Sequence, residues 1–384
     1  MVWTAMNAGW WQAIAWPLGA ALGLTLFQCS FSFAGSFRLL LGARLSAMFR
    51  AQLVLLALTT LLILPVVAGN SLFGLPMRGL VFPTGVATLI GAFLFGIGMQ
   101  LGGGCGSGTL YAAGAGSMRM WLTLACFVIG ATLAAWHAEL WNGLPALPPV
   151  ALAAEFGLWP TLLGTFIIIG GLYALVQALE RARHGQVATL RWRPEQGEDK
   201  QTGGMGGASR LWGPWPLLWG AAGLALLNLA TLVLMGRPWA ITAAFPLWGA
   251  KAVEALNWDD PAFWAYWEDP TRTEALLRPL GGDRITAMDL GLMLGALFAA
   301  SLTDRAARMA WPCPGHVLAS LVGGLLLGVG AVIASGCNIS AWISGTASGS
   351  LHGWVWIVPA LAGNLLGMKL RPVFGMNRPV SSRQ

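Results

Sequence analysis

The sequence predicts an all-α polytopic membrane protein, with about nine transmembrane helices and short re-entrant helices in two inverted-topology repeats. Composition, a counted internal repeat and the alternation of basic loops predict it. Hydrophobic residues are 56% of the 384-residue chain and charged residues 10%, where soluble domains carry roughly 25% charge. That is too little polar surface to clothe a water-exposed body, so the chain must dissolve in lipid. Its 21 Trp suit the membrane interfaces and its 52 Gly suit close helix contacts. The net charge of +7 is spread over short loops; it sets orientation and argues against a nucleic-acid-binding face. Five Cys, an odd number with no C-x-x-C, argue against a disulfide framework or a zinc site. No metal and no cofactor is expected.

A helix needs about 20 apolar residues to cross hydrocarbon. Candidate spans lie near 10–29, 51–68, 83–103, 119–137, 160–180, 213–235, 286–303, 316–336 and 353–370. The first lacks the basic n-region of a signal peptide and is followed by Arg38, Arg44 and Arg50, so it reads as an uncleaved anchor with its N-terminus outside. Further basic residues at Arg119, from Arg181 to Arg193, at Arg305 and Arg308, and at Lys369, Arg371, Arg378 and Arg383 alternate with acidic or neutral loops. Those neutral loops, 69–82, 138–159 and 236–285, read as outside, and an odd number of spans puts the basic C-terminus in the cytoplasm. The organisation expected is a first repeat over 1–180, a cytoplasmic linker over 181–212 and a second repeat over 213–384. No intramembrane acid suited to a proton relay is expected in the spans.

The repeat can be counted. Offsetting residues 88–105 by 232 positions (337 minus 105) onto 320–337 pairs Leu89 with Leu321, Gly91 with Gly323, Leu94 with Leu326, Gly96 with Gly328, Gly98 with Gly330, Gly104 with Gly336 and Cys105 with Cys337. The span before Cys105 runs outside to inside and the span before Cys337 the other way, so the halves are inverted and a substrate site belongs at the midplane between them.

After each thiol come poor helix continuations, GGGCGSG over 102–108 and SGCNIS over 335–340, then apolar stretches at 109–117 and 341–350. These are too short to cross and read as re-entrant half-helices. Irregular backbone at depth is tolerated only in protein or beside a polar cavity, and half-helix N-termini suit an anion. Cys105 and Cys337 therefore read as thiols in the wall of an anion path, supported by Gly104, Gly106, Gly336 and Asn338. Cys29, closing the first span before SFSFAGSFR, joins them as a third thiol; in the second half Asn228 or Thr231 takes the corresponding place. Arg237 is a candidate for attracting anions at the outer mouth.

The Gly-rich helix ending in GGGCGSGTLYAAGAGS, its repeat ending in SGCNISAWISGTASGSLHGW, the stretch from Cys29 to Arg38 and GRPWAITAAFPLWGAK from Gly236 to Lys251 resemble the YeeE/YedE family of bacterial inner-membrane proteins. The resemblance runs nearly the whole length in family order, with Leu39 following Arg38 where relatives often carry an acid. It implies thiosulfate import, nine membrane helices with re-entrant segments in an hourglass, and three path cysteines, carried onto Cys29, Cys105 and Cys337. It also implies a small cytoplasmic sulfur-carrier partner of the TusA type, which would meet the loop at 38–50 and the linker at 181–212. Relatives linked to selenium metabolism make a selenium compound the alternative cargo.

Thiosulfate is a small dianion with a soft terminal sulfur, and a neutral thiol is a weak donor with a polarizable surface. Contacts of that kind hold an ion without trapping it, as conduction requires. A membrane thiol enzyme or sulfur-relay subunit is the competing reading, since cysteine forms persulfides; no neighbouring base or C-x-x-C is present to activate a thiolate. Cys126 and Cys313 are expected to pack, His137 and His352 to sit at interfacial span ends, and NWDDPAFWAYWED at 257–269 to form an interfacial cap.

Overall fold

The computed structural model describes residues 9–190, 214–303 and 311–376. Among them are nine helices long and apolar enough to cross a membrane, and strand is confined to two-residue pieces. The chain is an all-α polytopic membrane protein. Most of the expected linker, together with Arg305, Arg308, Arg378 and Arg383, lies outside the described residues.

In chain order, α1 (Trp10–Gln28) leads to α2 (Phe33–Arg38), which runs on as a π turn, Leu39–Ala43, before α3 (Ala47–Ala68). Then come α4 (Val86–Gly102), the short α5 (Gly106–Gly114), α6 (Met118–Trp136) and α7 (Leu158–His184). The second part holds α8 (Leu217–Met235), α9 (Ala244–Ala255), α10 (Pro270–Leu277) and α11 (Arg284–Leu302). It closes with α12 (Pro314–Ile333), a π helix at Asn338–Gly345 and α13 (Leu351–Leu370). The ends fall within a few residues of the expected spans. The short segments α5 and Asn338–Gly345 stand where re-entrant pieces were expected, the second as a π helix, a rare form that is frequent at functional sites.

Glycine contacts give the relative directions of the long helices. Gly91 lies against Gly330 and Ala334, and Gly98 against Gly323 and Leu327, so α4 and α12, the two copies of the repeat, run antiparallel. Gly291 meets Trp16 while Gly295 meets Ala20, which makes α1 and α11 parallel. By the same reading α13 is parallel to α4 through Gly363 on Phe93 and Gly367 on Ile97, and α12 is parallel to α6 through Gly324 on Thr123 and Gly328 on Phe127. Each agrees with the number of crossings between the partners.

The packing is also reciprocal. α4 packs on α12 and α13 while α12 packs on α4 and α6; α1 packs on α11 while α8 packs on α3; α2 touches α13 while α9 touches α6. α7 lies on α3 and stands outside this pairing. Without side chains, the glycines bring backbones together where lipid supplies no hydrophobic drive between helices and van der Waals contact must do so. Where α4 ends, a Cβ on Gly323 would fall 2.2 Å from the Gly102 nitrogen.

Aromatic packing fixes the short segments. Trp342 of the π helix is 1% exposed and stacks on Phe49 of α3 at 5.8 Å, with Phe33 and Phe37 of α2 at its edges. Phe127 of α6 meets Phe245 of α9 at 4.6 Å. Such pairs add about 0.5–1.5 kcal/mol each beyond their area. They tie α2 and the π helix to α3, and α9 to α6.

Candidate functional site

Cys105 and Cys337 occupy the same local position in their repeats. Each is the extended residue that caps a short helix, Cys105 with φ −93° before α5 and Cys337 with φ −114° before the π helix. Gly336 reaches φ 150° to turn the chain into the second cap, and a Cβ there would lie 2.6 Å from the Ser340 Oγ, so only glycine serves. In the first copy the positive φ falls on Gly103, and a Cβ on Gly104 would meet the Thr109 nitrogen at 3.0 Å.

The Cys105 Sγ accepts from the Gly108 N–H at 3.5 Å and sits 3.4 Å from the Ser107 Oγ. In the second copy the Ser340 Oγ accepts from the Cys337 N–H at 2.9 Å and donates to the Cys337 Sγ at 3.6 Å. The two turns abut. A Cβ on Gly106 would stand 3.4 Å from the Cys337 Sγ and 3.1 Å from Thr242 Cγ2, and the Thr242 and Ser340 hydroxyls are 3.5 Å apart. The N-termini of the two short helices thus converge on one small region, with thiols and hydroxyls beside it. Beside it Asn338 is wholly buried with neither amide atom partnered among the described residues. Both thiols are closed off, Cys105 at 1% and Cys337 at 0% exposure.

Above Ser335, Gly336, Thr242 and Ser340 opens a vestibule of about 850 Å³. Its wall carries five arginines, Arg78, Arg237, Arg272, Arg278 and Arg284, against three acids, Asp269, Glu274 and Asp283. Arg278 and Glu274 pair with each other, and Asp283 caps α11 by accepting from the Thr286 N–H and hydroxyl, both at 2.7 Å. The excess is positive. Burial pulls the Arg237 guanidinium below its ordinary pKa, Asp283 opposes that fall and Arg284 adds to it; a guanidinium so placed stays charged at neutral pH.

The other sequence-derived candidates separate. Cys29 is buried at the end of α1, but its neighbours are the Pro216 carbonyl at 4.0 Å and Gly220 at the start of α8, not the Cys105 and Cys337 turns. Asn228 is spent on structure, donating to the Ser344 Oγ and accepting from the Trp239 N–H. Thr231 does line the vestibule. Cys126 packs against Gly324 in the α6–α12 seam, and Cys313 is exposed at the cap of α12. The Trp-rich stretch folds into short turns that bury Trp264 and Trp267, and Tyr266, Trp267 and Asp269 form vestibule wall.

Several residues sit otherwise than the sequence suggests. His352 is buried rather than interfacial, its Nε2 2.9 Å from the Ala334 carbonyl just before the Cys337 turn. Arg50, expected in an open basic loop, is 3% exposed and paired with Glu180 at 3.6 Å; Glu180 also accepts from the Ser46 N–H and hydroxyl and the Ala188 N–H. An intramembrane acid is present after all: Asp289 of α11 is fully buried, and neither carboxyl oxygen has a partner among the described residues. No cluster of His, Cys, Asp and Glu among the described residues is placed to hold a metal ion.

Comparison with known proteins gives this arrangement a family. A family model described as sulphur transport matches residues 28–366. The chain is 25% identical over 360 residues to the thiosulfate transporter TsuA of Escherichia coli K12, covering 90% of each protein. It is 26% identical over 296 residues to the TsuA of Spirochaeta thermophila, covering 73% of this chain and 76% of that one. The probable transporter YedE of E. coli K12 matches at 27% over 172 residues, and there the chain spans only 40% of the relative's length. The matched region takes in both thiol turns, the α4–α12 seam and most of the vestibule, and the chain belongs to the sulphur transport (YeeE/YedE) family.

Proposed function

We propose that this protein carries thiosulfate, or a closely related small sulfur anion, into the cytoplasm through the point where the Cys105 and Cys337 turns abut. The observation that carries the proposal is the opposed pair of cysteine-capped half-helices beneath an arginine-rich vestibule. The names of the TsuA relatives support the choice of ion. In this reading residues 1–180 and 213–384 are inverted repeats joined by a cytoplasmic linker at 181–212. The vestibule opens to the outside of the inner membrane and the C-terminus lies in the cytoplasm.

The chemistry follows from what each region offers. The vestibule arginines raise the local anion concentration without holding the ion at one point. At the waist no guanidinium is needed. Thiols, the Ser107 and Ser340 hydroxyls, the Asn338 amide and backbone N–H groups at the two helix starts stabilise a dianion through many weak contacts, and weak contacts permit release. Gly106 and Gly336 keep the approach free of side chains. A TusA-type sulfur-carrier protein is the proposed recipient at the face bearing Arg38 and the exposed Arg44; Arg50, tied to Glu180, takes no part.

The test is uptake of radiolabelled thiosulfate by cells that lack their own route. Wild type and Cys126→Ala are expected to restore uptake, Cys105→Ala and Cys337→Ala to fail, and Cys29→Ala to restore it less well. Uptake retained in both waist variants refutes the thiol path. At the mouth, Arg237→Gln is expected to slow uptake roughly tenfold at low ionic strength. The gap from wild type should close as salt screens the vestibule; a gap that salt leaves untouched assigns Arg237 to structure instead.

A further inference from the structure

At the end of the molecule away from the vestibule, two arginines cap the last turn of α4 and a third, Arg38, stands near them. Arg119 of α6 donates to the Leu101 carbonyl at 2.8 Å and to the Ser320 Oγ at 3.2 Å. Arg371, following α13, donates to the neighbouring Gln100 carbonyl at 2.8 Å. The Gln100 side chain donates to the Ala34 carbonyl at 3.0 Å, which sets α2 against the same turn, with Arg38 one helical turn beyond Ala34. Gly42 against Met368 holds the far end of that segment. Arg38 is close enough to Arg119 and Arg371 for each to feel its charge, and His316 of α12 feels Arg119 and Arg371.

No carboxylate among the described residues pairs with any of the three, since the ion pairs there are Arg50–Glu180, Lys251–Glu254 and Arg278–Glu274. The α4 C-terminus that two of them cap offers only about half a negative charge. Among the described residues these three full positive charges remain far from neutralised. All three side chains are half-buried, so solvent does not fully relieve their repulsion. Donors also remain: Arg119 uses Nε and Nη2, Arg371 uses Nη1, and Arg38 has no hydrogen-bond partner among the described residues. Planar guanidinium forks with spare N–H groups match a tetrahedral oxyanion.

We propose that Arg38, Arg119 and Arg371 form a second anion site, for a small divalent oxyanion of the sulfate and thiosulfate class, at the inner end of the molecule. As a station on the route the site rests on the transport reading above. It receives an ion that has passed the waist and holds it before release to the cytoplasm.

The test separates the two claims by using sulfate, which lacks the soft terminal sulfur, on the purified full chain in detergent. Thermal unfolding is followed with sodium sulfate against sodium chloride at equal ionic strength. Sulfate is expected to raise the unfolding temperature of wild type and of Cys337→Ala alike, so loss of the thiol path leaves the result standing. Arg38→Gln is expected to unfold at a higher temperature than wild type without sulfate, because like-charge repulsion is relieved. It should need about tenfold more sulfate for half the effect, as fits the loss of one charged hydrogen-bonding partner. Arg371→Gln should lose sulfate sensitivity similarly, and Arg371→Lys should keep part of it. A sulfate effect no larger than that of chloride, or unchanged in Arg38→Gln and Arg371→Gln, overturns the site. Stabilisation by an acidic peptide with none by sulfate also overturns it, in favour of a protein-docking face.

Discussion

Gly106→Val is expected to slow transport about 100-fold in a protein that still folds. The Cβ of any residue at 106 falls 3.1 Å from Thr242 Cγ2 and 3.4 Å from the Cys337 Sγ, so alanine already crowds the gap and valine adds two methyl groups to it. Overpacking of that kind costs roughly 3 kcal/mol; raised as a barrier at the waist, that is about 100-fold in rate. Gly106 opens α5 with no positive φ, so the backbone accepts the change. The measurement is initial uptake in proteoliposomes, with size-exclusion chromatography to show an intact fold. Alanine should give an intermediate rate. If valine transports at the wild-type rate, the ion does not pass between the two turns.

A large effect on folding is expected at Gly328. A Cβ there would lie 2.2 Å from the Phe127 carbonyl oxygen and 2.4 Å from the Ala131 nitrogen. Those are backbone atoms of α6 and cannot swing aside as a side chain end can. Gly328→Leu must therefore separate α6 from α12, at a cost above roughly 3 kcal/mol, a large share of the stability of an ordinary domain. The expected outcome is loss of the monodisperse peak in detergent and of a cooperative thermal transition. Gly170→Leu is the control: nothing stands within 4 Å of its Cβ on the outward α7, and it should fold like wild type. Equal tolerance at both positions would refute the account of the seam.

Sequence periodicity exposed much of this architecture because a lipid-dissolved chain writes its spans as long apolar runs and its topology as charged loops. The α4–α12 relation was legible from the paired glycines and from the opposite directions that the loops imply. Cys105 and Cys337 were legible as caps, since Gly, Ser and Asn after an apolar run leave a helix little choice. Of the vestibule arginines only Arg237 was legible, because Arg78 lies on a different outer loop and the irregular folding of 236–285 that brings Arg278 and Arg284 to the same wall leaves no periodic signal. Asp289 escaped because one acid barely alters the mean hydropathy of nineteen residues in α11. His352 misled because distance from a span end tracks depth only when the preceding chain is a surface loop; here the buried π helix delivers it. Arg50 misled because its partner Glu180 lies 130 residues away in sequence (180 minus 50).

The antiparallel meeting of α4 and α12 has a kinetic consequence. On the transport reading, with residues 1–180 and 213–384 as inverted repeats, the two thiol turns meet an ion from opposite sides in like fashion, so the waist itself carries little rectifying character. By microscopic reversibility, whatever barrier it sets inward it also sets outward. On that reading any preferred direction comes from what differs between the ends, the mixed-charge vestibule at one and, at the other, arginines that no carboxylate among the described residues pairs, and from how fast the cell consumes what arrives. A reversed concentration gradient in vesicles should drive the same ion backwards through the same gap.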